Sequence, residues 1–162
     1  MNLSVRVPTA AGLVVFLLAS CADGAGRATP DQVDPTCDGS SEVAVTVEGV
    51  ALSATLADTT VSDRFARLMP LELNLSDPMG QAFSGPLPGG PLEVADGDLL
   101  LDPSEGGVYY APDSHTVAFY YDDLGQSVPP PGWALLAELE PAGVEVLAAT
   151  GRDARVSIEH CG

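Results

Sequence analysis

The chain of 162 residues contains no lysine and only six arginines, and this shortage of positive charge limits its partners. Against 23 acidic residues it leaves a formal net charge of −17 at pH 7. Nucleic acids and anionic lipid headgroups carry the same sign of charge, so we expect direct binding to neither. Hydrophobic residues still make up 46% of the chain, which favours a folded domain with an acidic surface over a disordered acidic tail.

Motifs for metal, phosphate and nucleophilic chemistry are absent as well. The three cysteines form no CxxC pair, and His160 stands alone beside Cys161, so a zinc site lacks ligands. No GxSxG motif surrounds a serine, and two distant histidines do not build a catalytic triad. Gly89-Gly90 precedes no predicted helix, which argues against a phosphate loop. We therefore expect no cofactor and no metal.

No apolar run is long enough to span a membrane as a helix. The longest, Ala10–Ala19, has about 10 residues where a spanning helix needs about 20. It ends in Leu18-Ala19-Ser20-Cys21, which resembles a bacterial lipoprotein signal, cut before a cysteine that then carries lipid. We thus predict a signal peptide over residues 1–20, lipid attachment at Cys21 and a location in the cell envelope, facing outside the cytoplasm. An ordinary secretory signal, cut near Ala19, is the alternative.

The remainder divides into a tether and one domain. Residues 21–41 are rich in Ala, Gly, Asp, Pro and Ser and show no apolar periodicity, which indicates a flexible tether. Residues 42–162 are long enough for one domain with a core. Cys37 and Cys161 remain once Cys21 is assigned to lipid, and outside the cytoplasm such a pair predicts a disulfide.

Alternating apolar and polar residues predict that the domain is mainly β. Short helices are predicted within Asp58–Leu68 and at Gly143–Ala149, and Gly- and Pro-rich loops at 84–98 and 126–132. The predicted strands are 43–47, 51–56, 71–75, 99–101, 108–111, 117–121, 133–139 and 154–159. Many short strands joined by hairpin turns favour a closed or nearly closed antiparallel β-barrel with two short helices.

The order of several short motifs resembles the bacterial cyclophilin-like domain proteins, from about Val43 to Glu159. The matching pieces are Ala54–Asp58, Phe65, Leu68–Leu71, Asp77, Gly80, Leu87-Pro88, Val108–Pro112 and Phe119–Gly125. The chain departs from the family pattern at Gly106-Gly107, where Gly-Asp is usual, and at Trp133–Leu135, where Leu-Gly is usual. The resemblance implies a small cyclophilin-type β-barrel with helices at its ends, and it specifies no reaction.

True cyclophilins use an arginine on a barrel strand to bind the carbonyl of the substrate peptide and lower the isomerisation barrier of about 18–20 kcal/mol. The corresponding region here, Leu71–Asp98, has no arginine and no histidine. Arg64 and Arg67 lie on the predicted helix, where we expect pairing with Asp63 or Glu72. Cyclophilin-type catalysis is therefore not expected.

Aromatic residues concentrate in the two strands 108–111 and 117–121 and at Trp133. We expect one member of each adjacent tyrosine pair to fill the core and the other to cover the outer face. Tyr110, Tyr120 and Trp133 are the candidates for a ligand groove on the barrel wall.

Three functions stay open. The first is a lipid-anchored, non-catalytic binding or accessory module of the cell envelope, with a small molecule or a peptide as ligand. The second is an isomerase or other enzyme with a site around the aromatic strands and the Ser84–Gly90 loop. The third is a purely structural envelope lipoprotein.

Overall fold

A computed structural model describes residue 39 and residues 41–162. The predicted signal peptide, the lipid-attachment site Cys21 and Cys37 lie outside these residues. The described elements are β1 Glu42–Val47, β2 Val50–Leu56, α1 Thr60–Ala66, β3 Leu71–Ser76, β4 Ala82–Pro86, a short 3-10 turn Asp96–Asp98, β5 Leu99–Leu100, β6 Gly107–Ala111, β7 Thr116–Tyr120, β8 Trp133–Leu139, α2 Pro141–Ala149 and β9 Asp153–His160.

The strands of the described chain form one antiparallel sheet that closes on itself. Neighbours follow the order β2-β1-β9-β3-β4-β7-β6-β8-β5, and β2 also pairs with β8. Eight strands therefore make a closed barrel, while the two-residue β5 pairs beside the first half of β8. The prediction of a mainly β, closed antiparallel barrel with two helices is confirmed.

Strict alternation along the strands fills the barrel. On β1, Val43, Val45 and Val47 are at most 2% exposed, and their neighbours on the strand are half-buried. β3 alternates in the same way, with its leucines buried and Glu72 and Asn74 exposed. Because successive side chains of a strand point to opposite faces, the apolar set of each strand meets in one core.

Local sequence signals explain the β1–β2 hairpin. Glu48 and Gly49 both have positive φ, 48° and 87°, as the two-residue turn of a tight hairpin requires. This turn sets the register in which Val47 lies opposite Val50 and Val45 opposite Leu52. The predicted hairpin is confirmed.

Helix α1 lies against β2 and β8. Thr59 caps it by accepting a hydrogen bond from the Ser62 N–H at 3.2 Å. Val61 and Phe65 are at most 1% exposed, and the buried Ser62 hydroxyl donates to the Leu136 carbonyl at 2.5 Å. Val61 and Phe65 thus form a buried apolar face, and the Ser62 hydroxyl adds a polar contact to β8.

The prediction that residues 84–98 form a loop was wrong at its start. Gly85 and Pro86 are poor strand residues by propensity, yet they lie in β4, which pairs with β7 from Ala82↔Tyr120 to Pro86↔Thr116. Tertiary pairing overrides the local preference, since Pro86 comes at the end of the strand.

The seam between β3 and β4 is the weakest in the barrel wall. Only Ser76↔Ser84 pairs across it, whereas β3 and β9 pair over six residues. Continued in the same register, Asn74 and Glu72 would face Pro86 and Pro88. Neither proline has an N–H to donate, so the ladder stops there.

Candidate functional site

The aromatic residues of β6 and β7 divide between the two faces of the barrel wall. Tyr110 and Phe119 are fully buried in the interior, whereas Tyr109 and Tyr120 belong to a separate outer cluster with Ala82 and Ala118. Tyr121 packs partly buried against the interior core. Each adjacent tyrosine pair, Tyr109-Tyr110 and Tyr120-Tyr121, therefore contributes one residue to each face, as expected. Trp133 and Leu135 of β8 pack partly buried against the outer cluster.

Tyr109 belongs to the outer cluster but is itself almost fully buried. Its ring lies across Gly107, where an added Cβ would come within 2.2 Å of the ring. Its hydroxyl accepts a hydrogen bond from the Ser104 N–H at 2.9 Å. Only glycine fits beneath this ring, which gives a physical reason for Gly107.

A small cleft opens on the outer face between these aromatic rings and the β3–β4 turn. Its volume is about 80 Å³. Its lining combines the small side chains of Ala82, Ser84 and Ala118 with the larger ones of Tyr120 and Trp133. The lining residues are Pro78, Met79, Gln81, Ala82, Ser84, Ala118, Tyr120 and Trp133.

The structure brings together two of the three predicted groove residues. The rings of Tyr120 and Trp133 meet edge to face, with centroids 5.8 Å apart and planes at 71°. Tyr110 lies on the other side of the wall, in the core. Its hydroxyl lies 2.9 Å from His115 Nδ1 and accepts a hydrogen bond from the Leu92 N–H, so it supports the loops at one end of the barrel.

Asp77 organises the turn that forms one wall of the cleft. Its Oδ1 accepts hydrogen bonds from the N–H groups of Met79 and Gly80, at 3.1 and 2.6 Å, in the manner of an Asx turn. Its Oδ2 accepts from the Tyr121 hydroxyl at 2.5 Å. Asp-Pro-Met-Gly is a sequence typical of a turn, but the link to Tyr121 spans 44 residues and no local pattern indicates it.

The Asp77–Tyr121 pair keeps a negative charge beside the cleft. Burial raises the pKa of Asp77, but the hydrogen bonds from Tyr121, Gly80, Met79 and Gln81 together outweigh it, and the pKa is lowered from its ordinary value. Burial, the hydrogen bond to Asp77 and the charges of Asp77 and Asp122 raise the pKa of Tyr121 to about 12. At neutral pH the carboxylate is ionised and the phenol is protonated.

Gln81 contributes an unused acceptor to the cleft wall. Within the described part of the chain, its side-chain oxygen is buried and has no hydrogen-bond partner. A buried acceptor left unpaired costs free energy, and this oxygen lies beneath the surface that a ligand in the cleft could touch. Sequence reasoning missed Gln81, because no motif marks it.

Two wider clefts lie on the outer face of β1, β9 and β3, around Arg155. They measure about 300 and 510 Å³, and most of their lining residues are polar, with no aromatic side chain among them. Glu48 Oε1 accepts a hydrogen bond from the Arg155 N–H at 2.5 Å, which ties the β1–β2 turn to β9. This is the solvated face of a sheet, with no apolar anchor point for a ligand.

None of the residues that line the aromatic cleft is an arginine. The expected partner of Arg64 was wrong. Arg64 pairs with Glu93 at 2.6 Å and donates to the Glu93 carbonyl at 2.8 Å, because the 87–98 loop folds back over α1. This interaction fastens the loop and supplies no cation to a substrate site.

Within residues 41–162, no helix is long and apolar enough to cross a bilayer. The same residues contain no group of three His, Cys, Asp or Glu side chains that could hold a metal ion.

These features define a closed antiparallel β-barrel domain with a filled interior and one aromatic cleft on its outer wall. A sequence profile of the Cyclophilin-like family matches residues 45–159, and the chain belongs to that family. Among solved structures, it is similar to the hypothetical protein AF2241 from Archaeoglobus fulgidus, with a TM-score of 0.56 and 11% identity over 75% of this chain and 95% of that one. At this identity the likeness concerns the fold alone. No curated protein matches the chain in sequence.

Proposed function

We propose that this cyclophilin-like domain is a non-catalytic binding module of the cell envelope, tethered to the membrane by lipid on Cys21 and facing outside the cytoplasm. The single observation that supports binding is the cleft of about 80 Å³ lined by aromatic and small side chains. Aromatic surface next to a polar handle is typical of recognition sites.

The size of the cleft indicates the kind of ligand. Pockets for drug-sized molecules and cofactors measure about 300–1,000 Å³. A cleft of about 80 Å³ accepts one small apolar side chain or ring. The module therefore holds an anchor residue of a peptide or protein segment, and the rest of that segment runs over the barrel surface.

Catalysis of the cyclophilin type is not supported, because none of the residues lining the cleft is an arginine. A cation placed at the peptide carbonyl is what would stabilise the twisted transition state. Trp133, Tyr120 and Met79 can bind an apolar group but cannot polarise a carbonyl.

The sequence carries the proposal of a lipid anchor, through Leu18-Ala19-Ser20-Cys21. The position of Cys161 supports the accompanying disulfide with Cys37. Val43 pairs with His160, so Cys161 follows β9 opposite Glu42 in the same register. Gly39, two residues after Cys37, accepts a hydrogen bond from the Glu42 N–H at 3.2 Å.

Binding in the cleft is tested by filling it with a larger side chain. Trp133 is the only tryptophan of the chain, so its fluorescence reports on this wall alone. We expect a capped peptide with one central leucine to change that fluorescence saturably, and Ala118→Leu to weaken the binding at least about tenfold by occupying the space of the anchor.

The matched control is Ala44→Leu, which adds the same volume to the outer face of β1, on the opposite side of the barrel from β7. It should leave binding unchanged. Equal affinity of Ala118→Leu and wild type, or no saturable signal with any peptide, would refute the cleft as a binding site.

A further inference from the structure

The charges and polar groups beside the aromatic cleft restrict its partner further. Asp77 follows β3 and precedes the lining residues Pro78 and Met79. Its Oδ2 accepts a hydrogen bond from the Tyr121 hydroxyl. Asp122 follows Tyr121 directly, and its charge acts on the same hydroxyl. One carboxylate therefore lies next to the cleft wall on each of two neighbouring segments.

Acidic residues dominate the part of the chain that forms the cleft. The segment from Leu68 to Gly151, which supplies every residue that lines the cleft, has 13 carboxylates and no lysine or arginine. Arg152 is the nearest basic residue, since its carbonyl accepts the Asp77 N–H. A strongly acidic surface attracts positive groups and repels negative ones.

The aromatic rings of the cleft are a second, independent feature that favours a positive group on the ligand. Ammonium and guanidinium groups are donors only, and both also attach to the faces of tryptophan and tyrosine rings. Trp133 and Tyr120 supply such rings beside the same space.

We propose that the occupant of the aromatic cleft is a cationic segment of a partner protein, in which a small apolar anchor side chain is flanked by lysine or arginine. The inference rests on the proposed binding function and adds the charge of the partner. The apolar anchor enters the cleft over Ala118, and a flanking cationic group lies toward Asp122.

The test separates charge from the anchor with four capped peptides: Lys-Leu-Lys, Gln-Leu-Gln, Glu-Leu-Glu and Lys-Gly-Lys. Each is titrated into the domain at low and at physiological salt, with Trp133 fluorescence as the readout. We expect Lys-Leu-Lys to bind at least about tenfold more tightly than Gln-Leu-Gln at low salt, and Glu-Leu-Glu and Lys-Gly-Lys to bind most weakly. The advantage should shrink as salt shortens the screening length to about 8 Å.

Asp122→Asn tests the direction of the charge effect. Asparagine keeps the side-chain oxygen that accepts the Leu124 N–H at 3.0 Å, so the turn is preserved while one charge is removed. The variant should reduce the preference for Lys-Leu-Lys over Gln-Leu-Gln. Glu159→Gln, which removes one exposed charge on β9 across the barrel, is the matched control and should leave that preference unchanged.

The outcomes distinguish the two proposals. Equal binding of Lys-Leu-Lys and Gln-Leu-Gln overturns the cationic partner and leaves the apolar cleft standing. Equal binding of Lys-Gly-Lys and Lys-Leu-Lys, insensitive to Ala118→Leu, shows attraction to the acidic surface alone and overturns both the partner and its placement in the cleft. No saturable binding by any of the four peptides overturns the binding function itself.

Discussion

At the scale of single residues, close approach between neighbouring strands decides which side chains the barrel tolerates. Gly85 is the clearest case. A Cβ at this position would lie 2.7 Å from the Asn74 carbonyl oxygen and 2.9 Å from Leu75 Cδ2. A carbonyl held in the β3 backbone cannot move aside as a flexible side chain can. Glycine is therefore required where β4 crosses the seam, although its propensity argues against a strand.

We accordingly predict that Gly85→Ala destabilises the domain by about 1–3 kcal/mol, as overpacking in a tight site does. Chemical denaturation measures the change in the free energy of unfolding. Gly90→Ala is the control, since a Cβ there meets nothing within 4 Å. It should be neutral, or stabilising by up to about 1 kcal/mol through a less flexible unfolded chain. Equal effects of the two substitutions would contradict the steric argument.

The Asp77–Tyr121 pair makes stability depend on alkaline pH. The pKa of Tyr121 is raised from 10.0 to about 12, so the folded state favours the protonated phenol. Its contribution is complete below the unfolded pKa of 10.0 and is lost as the pH rises toward about 12.

Wild type should therefore lose more stability than Tyr121→Phe across this alkaline interval, as followed by the melting temperature at each pH. In a titration followed by tyrosinate absorbance, the variant should have one group fewer that ionises above the ordinary tyrosine pKa of 10.0. A constant difference between the two proteins from neutral pH to pH 12 would argue against the assignment.

At the scale of elements, the barrel owes its closure to pairings of unequal length. The Asp77 N–H donates to the Arg152 carbonyl, so the odd-numbered residues of β3 face β9, and Glu72 and Asn74 face β4. Opposite these two lie prolines without N–H groups, Pro86 and Pro88. β3 is therefore firmly attached on one edge and weakly on the other.

Hydrogen exchange tests this asymmetry within one strand. We expect the Glu72 amide to exchange faster than the Leu73 amide, because the first lacks a ladder partner and the second bonds β9. Amide-resolved NMR exchange provides the measurement, and the even-odd contrast is its own control. Similar protection at the two positions would show that the Glu72 amide does have a hydrogen-bond partner across the β3–β4 seam.

Prediction from sequence succeeded for elements whose local signals agree with their tertiary role. The β1–β2 hairpin has alternating valines and a Glu48-Gly49 turn, and α1 has a threonine cap and an apolar face. It failed for β4, because Gly85 and Pro86 indicate a loop while pairing with β7 imposes a strand. The partner strand β7 lies thirty or more residues further along the chain, so no local sequence pattern indicates this pairing.

At the scale of the whole molecule, the proposed lipid on Cys21 would attach the chain to the membrane, and the proposed disulfide would link the two ends of the domain. Closing a loop of about 125 residues between Cys37 and Cys161 is expected to stabilise the domain by up to about 5 kcal/mol on the chain-entropy view. The bond would also tie the start of β1 to the end of β9, which already pair.

Intact mass of the mature protein from membranes checks both features. We expect a chain that begins at Cys21 with added diacylglycerol and acyl mass, and a gain of two hydrogens on reduction. Reduction should also lower the melting temperature, and Cys161→Ser should abolish the effect of reductant. A chain without lipid, or one unaffected by reductant, would rule out the corresponding feature.

The sequence by itself determined the fold class, the acidic surface and the candidate aromatics. The fold class follows from period-two alternation between neighbouring residues. The acidic surface and the candidate aromatics follow from charge counts and composition. The tertiary structure alone decided that Tyr120 and Trp133 share a cleft while Tyr110 lies in the core, and that Asp77 and Gln81 border that cleft. Barrel closure and strand register place such residues together, and they depend on pairings between distant segments that no local pattern encodes.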